Sequence, residues 1–402
     1  MVKMNNSNNE KLRIVVSGLM ASYPFGGVFW DYVQYLLGFY RLGHDVLYIE
    51  DTGRWFYNPA RGTFVQSAEE NSKYLQRHLA RLHPRLNGCW FVRDATGSTY
   101  GQSWQKVMEF CKTTDLFINI SASCYIREEY RKAKVLAFID TDPMYTQVGI
   151  LRGKNVSEAS SSLKWWKDRH DVFFTFGLSV GQNHCKVPTA GIRWIPTIQP
   201  IVMDQFFEYR LPLKERRHVI TTVTSWDSYD KPLRFNNVNY GGKKTEFLRF
   251  AELPARCRIP FEIAVTGRPP ARFLTCGWRI IDAIDISRTP WQYRSYLRNS
   301  MIEWSAAKNA YVESKCGWFS CRTSCYLSSA VPAVVQDTGF SKHIDVGQGL
   351  FAFETSEEAA SAIEEIMSKP QYHCDAAVGV ADEYFNSDRV LNELIRNAFA
   401  SR

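Results

Sequence analysis

The sequence lacks the phosphate-binding motifs that identify the commonest nucleotide-dependent enzymes. It contains no GxGxxG, which disfavours a dinucleotide-dependent oxidoreductase, and no GxxxxGK[ST], which excludes a P-loop kinase or ATPase. No apolar run approaches the roughly 20 residues that a membrane helix needs, and the polar N-terminus has no signal-peptide core. We therefore expect a cytoplasmic protein without a membrane span.

The ten cysteines show neither the spacing of a disulfide framework nor that of a zinc ribbon. Cys316, Cys321 and Cys325 lie close together in the chain, but they lack paired two-residue spacing and no histidine follows at ligand spacing. We expect reduced, mostly buried thiols and no bound metal.

Acidic residues are outnumbered, since 49 Lys and Arg face 41 Asp and Glu and give a net charge of +8. The basic residues are dispersed, with one modest cluster at residues 213–218. An ordinary basic surface is one interpretation. The other is an anionic partner, whether a nucleotide diphosphate, a membrane surface or a nucleic acid.

The chain does contain two consecutive series of alternating strands and helices. Its 402 residues, 45% of them hydrophobic, are enough for two α/β cores. The first series begins with an apolar run at residues 12–17, a glycine-bearing loop, a helical pattern ending at Gly43 and a second strand. The extended, proline-bearing residues 192–202 are the expected interdomain linker. A second series follows from residue 218.

This pattern predicts an α/β fold with two doubly wound, Rossmann-like domains that face a cleft. We place the first domain at residues 1–205, the second domain at 206–380 and a terminal helix at 381–402. Open α/β sheets bind ligands beyond the carboxyl ends of their strands, so the loops after predicted strands are the candidate site.

In the second half, these loops are rich in small residues that let a backbone approach a phosphate closely, and one leads into a helix start. Arg322, at that helix start, offers a planar donor fork for a diphosphate. Lys243 or Lys244, after a tight turn, offers a second cation; a solvated charge is the alternative for each. The predicted donor-binding residues in this half are Lys243, Lys244, Gly267, Ser305, Lys308, Arg322, Thr323, Ser324, Asp337 and Gly339.

In the first half, Gly26 and Gly27 follow the first strand and are predicted to face the donor phosphates. Asp140 and Asp142 end a buried strand at the edge facing the cleft. One of them would deprotonate an acceptor hydroxyl; the alternative is that both cap turns. They have the spacing of a metal-binding Asp-x-Asp pair, but their place in the acceptor half argues against a metal-bridged donor.

The stretch from Ser305 to Phe353 resembles the donor-binding core of the group-1 (retaining) GT-B glycosyltransferases. The matching segments are SSAVPAVVQDTG and GQGLFAF, while YIEDTG and FIDTDPMYTQ resemble a poorly characterised bacterial branch. The resemblance implies transfer of a hexose from a nucleoside-diphosphate sugar, most simply a UDP-sugar, without a bound cofactor or metal. Arg322 would stabilise the leaving diphosphate. It also implies that the domain at residues 1–205 is the acceptor side, that the domain at 206–380 binds the nucleotide sugar, and that the terminal helix crosses back to the first domain.

One departure from this family is clear. Two glutamates that many retaining members carry eight residues apart are replaced by Gly317 and Cys325. The acceptor stays open between a small molecule, a glycan and DNA. The alternatives are a glycosyltransferase that acts on a hydroxymethylated base in DNA, a sugar-nucleotide epimerase and a non-catalytic GT-B binding module.

Overall fold

The computed structural model describes residues 11–153, 163–227 and 231–400 of the chain. Within these ranges, ten strands and six helices precede residue 210. The strands are β1 (Arg13–Ser17), β2 (Asp45–Asp51), β3 (Phe56–Asn58), β4 (Thr63–Val65), β5 (Trp90–Arg93), β6 (Thr99–Gly101), β7 (Leu116–Ile120), β8 (Val135–Asp140), β9 (Val172–Thr175) and β10 (Trp194–Pro196). The helices are α1 (Gly26–Arg41), α2 (Glu69–Leu82), α3 (Trp104–Lys112), α4 (Tyr145–Leu151), α5 (Leu163–Arg169) and α6 (Asp204–Phe207).

Eight strands and nine helices follow in the described part of the second half. The strands are β11 (Ile220–Ser225), β12 (Leu233–Phe235), β13 (Val238–Tyr240), β14 (Phe261–Thr266), β15 (Trp278–Asp282), β16 (Ile302–Ser305), β17 (Ala333–Gln336) and β18 (Leu350–Phe353). The helices are α7 (Lys243–Arg249), α8 (Arg272–Thr275), α9 (Ala283–Ser287), α10 (Pro290–Arg298), α11 (Asn309–Ser314), α12 (Cys321–Ser328), α13 (Ser356–Ser368), α14 (Pro370–Phe385) and α15 (Ser387–Ala400).

The strands form two large sheets, one in each half of the chain. The first has the order β10-β9-β8-β7-β1-β2-β5-β6 and is parallel except for β6, which pairs antiparallel with β5. The second has the order β15-β14-β11-β16-β17-β18 and its strand pairs are parallel. Helices separate most of the consecutive parallel strands along the chain, as βαβ crossovers require. A 3-10 turn lies between β7 and β8, and a loop joins β9 to β10. The predicted α/β fold with two doubly wound domains is confirmed.

The central strands read as unbroken apolar runs because both faces of each sheet are covered. In β1, Ile14, Val15 and Val16 are fully buried, and β17 is buried throughout. One hydrophobic cluster contains residues of both halves, from Ile14 to Leu391. The two sheets are therefore packed together through shared apolar contacts rather than merely tethered by a linker.

The structure corrects several predicted elements. Part of the expected linker, Trp194–Pro196, is strand β10 at the edge of the first sheet, where a proline's missing N–H is tolerated. The expected single terminal helix is divided into α14 and α15, because the backbone of Ile201 bonds to Phe385 and Ser387 at the break.

The last helix, α15, packs against α1 of the first sheet. A Cβ at Gly38 of α1 would lie 2.4 Å from Leu391 Cδ1 of α15. Arg41 at the end of α1 pairs with Asp204 of α6 at 2.5 Å. The domain boundaries at residues 205 and 380 stay a prediction.

Candidate functional site

Loops from the carboxyl ends of strands in both sheets meet in one cleft. Asp142 follows β8 and Lys308 follows β16, and their side chains form an ion pair between the two domains. The Tyr311 hydroxyl donates to the same Asp142 oxygen, and Trp318 Nε1 donates to the Thr141 carbonyl at 3.0 Å. A predicted catalytic residue and a predicted donor-binding residue therefore lie together, at the sheet edge where α/β proteins bind ligands.

The two aspartates that end β8 have different surroundings. Asp140 is fully buried, and its Oδ2 accepts hydrogen bonds from Gln147 Nε2 and Thr175 Oγ1, both at 2.7 Å. Burial raises the pKa of Asp140. Its Oδ1 also accepts the backbone N–H of Asp142 at 3.0 Å. Asp140 thus supports the loop, whereas the side chain of Asp142 is 33% exposed. Of these two aspartates, Asp142 is the one that faces the cleft.

A third carboxylate, Asp31 of α1, was not predicted. It lines the cleft, and the nearby charges of Arg322 and Lys243 come from the opposite domain. Burial raises the pKa of Asp31 to about 7, although both cations act to lower it. Among the described residues, its carboxylate has no hydrogen bond or ion pair. A lone carboxylate inside the apolar run VFWDYVQYLL was the available signal in the sequence.

The adjacent lysines at the start of α7 face different surroundings. Lys243 lies close to the charges of Arg322, Lys308 and Asp142. Burial, together with the charges of Arg322 and Lys308, lowers the pKa of this partly exposed lysine to about 7. Lys244 instead pairs with Asp227 at 2.9 Å, with both side chains substantially exposed. Of the two alternatives, Lys243 is the one near the other cleft cations.

Arg322 is the second residue of α12, and three acceptors hold its guanidinium in place. Its Nε donates to Glu303 Oε1 at 2.8 Å, and its terminal nitrogens donate to the Val223 carbonyl and to Ser305 Oγ. Glu303 is buried in β16, which raises the pKa of its carboxyl, while Arg322 opposes that shift. Each terminal nitrogen keeps a second N–H, so the guanidinium is fixed in place without being exhausted as a donor.

The first turn of α12 contains two further predicted donor residues. The Thr323 hydroxyl donates to Glu303 Oε1 at 3.1 Å, and the Ser324 hydroxyl donates to the Ser320 carbonyl at 3.4 Å. Both side chains are buried, so neither is directed at a ligand. Within the described chain, no side chain caps this helix start, so its first backbone N–H groups have no side-chain acceptor. Phosphate binding by this turn stays a prediction.

The glycines at the start of α1 face the second domain. A Cβ on Gly26 would lie 2.5 Å from the Thr289 carbonyl oxygen and 2.6 Å from Tyr293 Cβ, whereas one on Gly27 would lie 3.4 Å from the Tyr293 ring. Gly26 is therefore required by the close approach of α1 to the start of α10. Phosphate contact by this pair stays a prediction.

A buried hydrogen-bond network, also missed by the sequence reasoning, joins the loops of the second domain. Glu246 of α7 is fully buried; its Oε1 accepts from Asn309 Nδ2 at 2.7 Å, and its Oε2 accepts from Gln336 Nε2 at 2.5 Å. Asn309 Oδ1 accepts the Gly241 N–H at 2.8 Å, and Gln336 Oε1 accepts the Ala307 N–H at 3.0 Å. The network fixes the segments that carry Lys243 and Lys308.

The remaining predicted donor residues stabilise turns. Asp337 Oδ1 accepts the Gly339 N–H at 2.8 Å, and Oδ2 accepts the Ser341 hydroxyl at 2.6 Å. Gly267, after β14, has φ +93°, and a Cβ there would lie 2.3 Å from Asp227 Oδ2. These contacts account for Asp337 and Gly267 as loop-forming residues at the strand ends, and sugar contact by Asp337 stays a prediction.

A cavity of about 690 Å³ opens beside Asp31 and Asp142. Its wall comes from the loops after β1, β7 and β8, from α1, α4 and α5, and from β12 of the second domain. A volume of this size lies within the range of small-molecule sites. Because Asp142 pairs with Lys308 and Asp31 lies near Lys243 and Arg322, the cavity adjoins these three cations on the side of the first domain.

Residues 11–153, 163–227 and 231–400 contain no group of three His, Cys, Asp or Glu side chains arranged to hold a metal ion. None of the helices there is long and apolar enough to cross a membrane. All ten cysteines are free thiols.

The sequence matches no protein-family model and no curated protein. The fold is nevertheless similar to solved glycosyltransferases. An alpha-glucosyltransferase in complex with UDP and a 13-mer DNA containing an HMU base aligns over 97% of this chain and 100% of its own, with a TM-score of 0.59 and 11% identity. HepE from Anabaena, in complex with UDP and glucose, aligns over 97% of this chain and 100% of its own, with a TM-score of 0.53 and 10% identity.

AviGT4, a glycosyltransferase involved in avilamycin A biosynthesis, aligns over 96% of this chain and 97% of its own, with a TM-score of 0.52 and 11% identity. Such identities establish the fold and no finer property. The predicted GT-B fold is confirmed.

Proposed function

We propose that this GT-B chain is a glycosyltransferase that moves a hexose from a UDP-sugar on the second domain to a hydroxyl of an acceptor on the first. The observation that carries the proposal is the meeting of Lys243, Lys308 and Arg322 with the carboxylates of Asp31 and Asp142 in one cleft. The three cations come from the second domain and the two carboxylates from the first. Charges of these signs suit an anionic leaving group and a proton-releasing nucleophile, respectively.

In the proposed reaction, the acceptor oxygen bonds to the anomeric carbon while the bond from that carbon to the diphosphate oxygen breaks. The electron pair leaves with the UDP, and the hydroxyl proton passes to a carboxylate of the first domain, Asp142 or Asp31. Preorganised positive charge at the departing diphosphate lowers the barrier to this step. We propose that the three side-chain cations carry this charge without a divalent metal ion.

The three cations have different parts in this proposal. Lys308 is paired with Asp142, so a bound diphosphate would compete for its ammonium and release the aspartate. The pKa of Lys243 is lowered to about 7. When the anionic donor binds nearby, its negative charge would favour the protonated ammonium form of this lysine. Arg322 is fixed by Glu303 and supplies charge at the start of α12.

A thermal-shift screen against UDP-, GDP-, TDP- and ADP-sugars tests the donor site. We expect a UDP-sugar to raise Tm, and Lys243→Met to reduce that rise. Lys369→Met is the matched control, because Lys369 is exposed at the end of α13 and pairs only with Glu365 at 3.2 Å in the described chain. If no nucleotide sugar raises Tm of the wild type, the proposed donor site is wrong.

A second candidate function is transfer of the sugar to a modified base in DNA. Two observations favour it: the net charge of +8, and the similarity to an alpha-glucosyltransferase whose structure contains UDP and DNA. The test is an electrophoretic mobility assay with duplex DNA at two salt concentrations. Affinity that falls steeply with salt supports this acceptor, whereas no binding at the lower salt concentration excludes it.

A further inference from the structure

The cavity beside the carboxylates has a largely apolar wall. Six of its side chains present rings or branched carbon chains to the space, and only Leu233 comes from the second domain. They are Leu19, Tyr32, Phe138, Tyr145, Trp166 and Leu233. Such a wall stabilises an apolar or flat ligand surface.

The three hydroxyl groups on one part of this wall are already bonded to one another. The hydroxyls of Ser121 and Thr141 bond to each other at 2.6 Å, and the Tyr32 hydroxyl donates to Ser121 Oγ at 3.4 Å. A saccharide placed against this part of the wall would bury hydroxyl groups without partners, at a cost of about 1–3 kcal/mol for each. Away from Asp31 and Asp142, the wall therefore favours a ligand with few hydroxyl groups.

Two N–H donors in the wall lack partners in the described chain. Trp166 is 2% exposed, and its Nε1 is buried without a hydrogen-bond acceptor. The Nη2 of Arg54 is likewise buried without a hydrogen-bond acceptor in the described chain. Buried donors are normally satisfied, so both point to a ligand that brings hydrogen-bond acceptors, such as a ring carbonyl or a ring nitrogen.

The cavity is also held rigid and covered. Ser121 and Ala122, consecutive residues of its wall, have φ values of +58° and +51°, a left-handed conformation that costs non-glycine residues about 1–2 kcal/mol each. From the second domain, the Gly241 carbonyl accepts the Tyr145 hydroxyl at 3.1 Å, and the Arg234 carbonyl accepts Arg152. Strained wall residues of this kind cluster at ligand sites.

We infer that the acceptor carries its reactive hydroxyl on a flat ring of low polarity with carbonyl or ring-nitrogen acceptors, seated in this cavity with the hydroxyl directed to Asp31 and Asp142. The inference rests on the proposed function and names its acceptor class. The ring comes either from a free small molecule or from a base displayed on DNA.

The test measures UDP release from UDP-glucose with a panel of acceptors. Methylumbelliferone and hydroxymethyluracil represent free flat rings, a short duplex containing hydroxymethyluracil represents DNA, and methyl glucoside and maltose represent saccharides. We expect a flat-ring acceptor to exceed the saccharides by at least about tenfold, the value of one or two buried apolar contacts. Activity with the duplex alone assigns the ring to DNA; activity with a free ring assigns it to a small molecule.

Matched variants on one hairpin connect the preference to the cavity. Leu233→Gln changes a cavity residue, and Val238→Gln changes a residue that is 41% exposed on the paired strand. We expect Leu233→Gln to raise KM for the flat-ring acceptor about tenfold and to leave the Tm rise with UDP-glucose unchanged, while Val238→Gln alters neither.

Saccharides that match or exceed the flat rings would overturn the inference, as would an unchanged acceptor KM in Leu233→Gln. Failure of the proposed function is distinct, because UDP-glucose would then give neither a Tm rise nor UDP release with any acceptor.

Discussion

Replacing Glu246 by glutamine removes one acceptor oxygen from the network that joins the loops of the second domain. Its two oxygens accept hydrogen bonds from the buried side chains of Asn309 and Gln336, and one of them also accepts from Arg249 at 2.6 Å. The new amide would direct N–H groups at one of these donors. We expect one buried donor to lose its partner, a loss of about 1–3 kcal/mol in the free energy of unfolding.

This magnitude corresponds to a measurable fall in Tm, at about 2–4 °C for each kcal/mol in a domain of this size. We also expect donor KM to rise up to about tenfold, since about 1.4 kcal/mol of lost preorganisation is tenfold in affinity. Differential scanning fluorimetry and initial rates at several UDP-sugar concentrations measure the two effects. Glu252→Gln is the control, because Glu252 pairs with Arg272 on the surface, with side chains 69% and 56% exposed, where such pairs contribute about 0–1 kcal/mol.

Two results would refute the reasoning. A Tm and a donor KM equal to those of Glu252→Gln would mean that the network does not stabilise the loops. A lower Tm with an unchanged donor KM, measured well below the transition, would mean that Glu246 supports the fold but does not position Lys243 and Lys308.

Three further outcomes follow from the cleft. Gly26→Ala should lower the free energy of unfolding by about 1–3 kcal/mol, because its Cβ would clash with backbone of the second domain that is fixed by packing. Gly27→Ala should change it by less than about 0.5 kcal/mol, and chemical denaturation measures both effects. Loss of donor binding in Gly27→Ala without loss of stability would indicate phosphate contact instead. Donor KM should rise between about pH 6 and 8, because Lys243 loses its positive charge and Asp31 gains a negative one near pH 7. Lys243→Met should flatten this pH profile. An unchanged profile in the variant would mean that Lys243 does not contribute to donor binding. Asp31→Asn should lower kcat and abolish its increase with pH over the same range, whereas a kcat profile like that of the wild type would leave Asp142 as the proton acceptor.

The architecture was accessible from the sequence because its strands are buried on both faces. Unbroken apolar runs such as β1 and β7 have no polar face to obscure them, and a loop that contains Gly18 separates β1 from the helix that follows. The elements that were missed are short or polar, including α2 and the two hairpins β3–β4 and β12–β13. Their formation depends on packing against a domain surface that no local pattern reports.

The site was only partly accessible for a different reason. Sequence position indicated which residues follow strands or begin helices, and Asp142, Lys243, Lys308 and Arg322 lie near one another in the structure. Their roles stay a prediction. Sequence position did not indicate which polar group each residue would meet across the fold. Asp140 and Asp142 look alike in the sequence, yet one is fully buried among internal donors and the other pairs with a lysine 166 residues away.

The loss of the glutamate pair at Gly317 and Cys325 has a structural counterpart. Gly317, with φ +76°, would place a Cβ 3.1 Å from Ser179 of the first domain. A glutamate there would have to fit into this contact between the domains. The Gly317 N–H also bonds to the Thr338 carbonyl at 2.9 Å, which holds the backbone in place at this position. At the second position, Cys325 is buried beside Arg322 and Glu303, and its thiol pKa is raised by that burial. The carboxylate paired with Arg322 in this chain comes instead from Glu303 of β16. This pair fixes the guanidinium at the start of α12, where the proposed diphosphate would meet it from the cleft side.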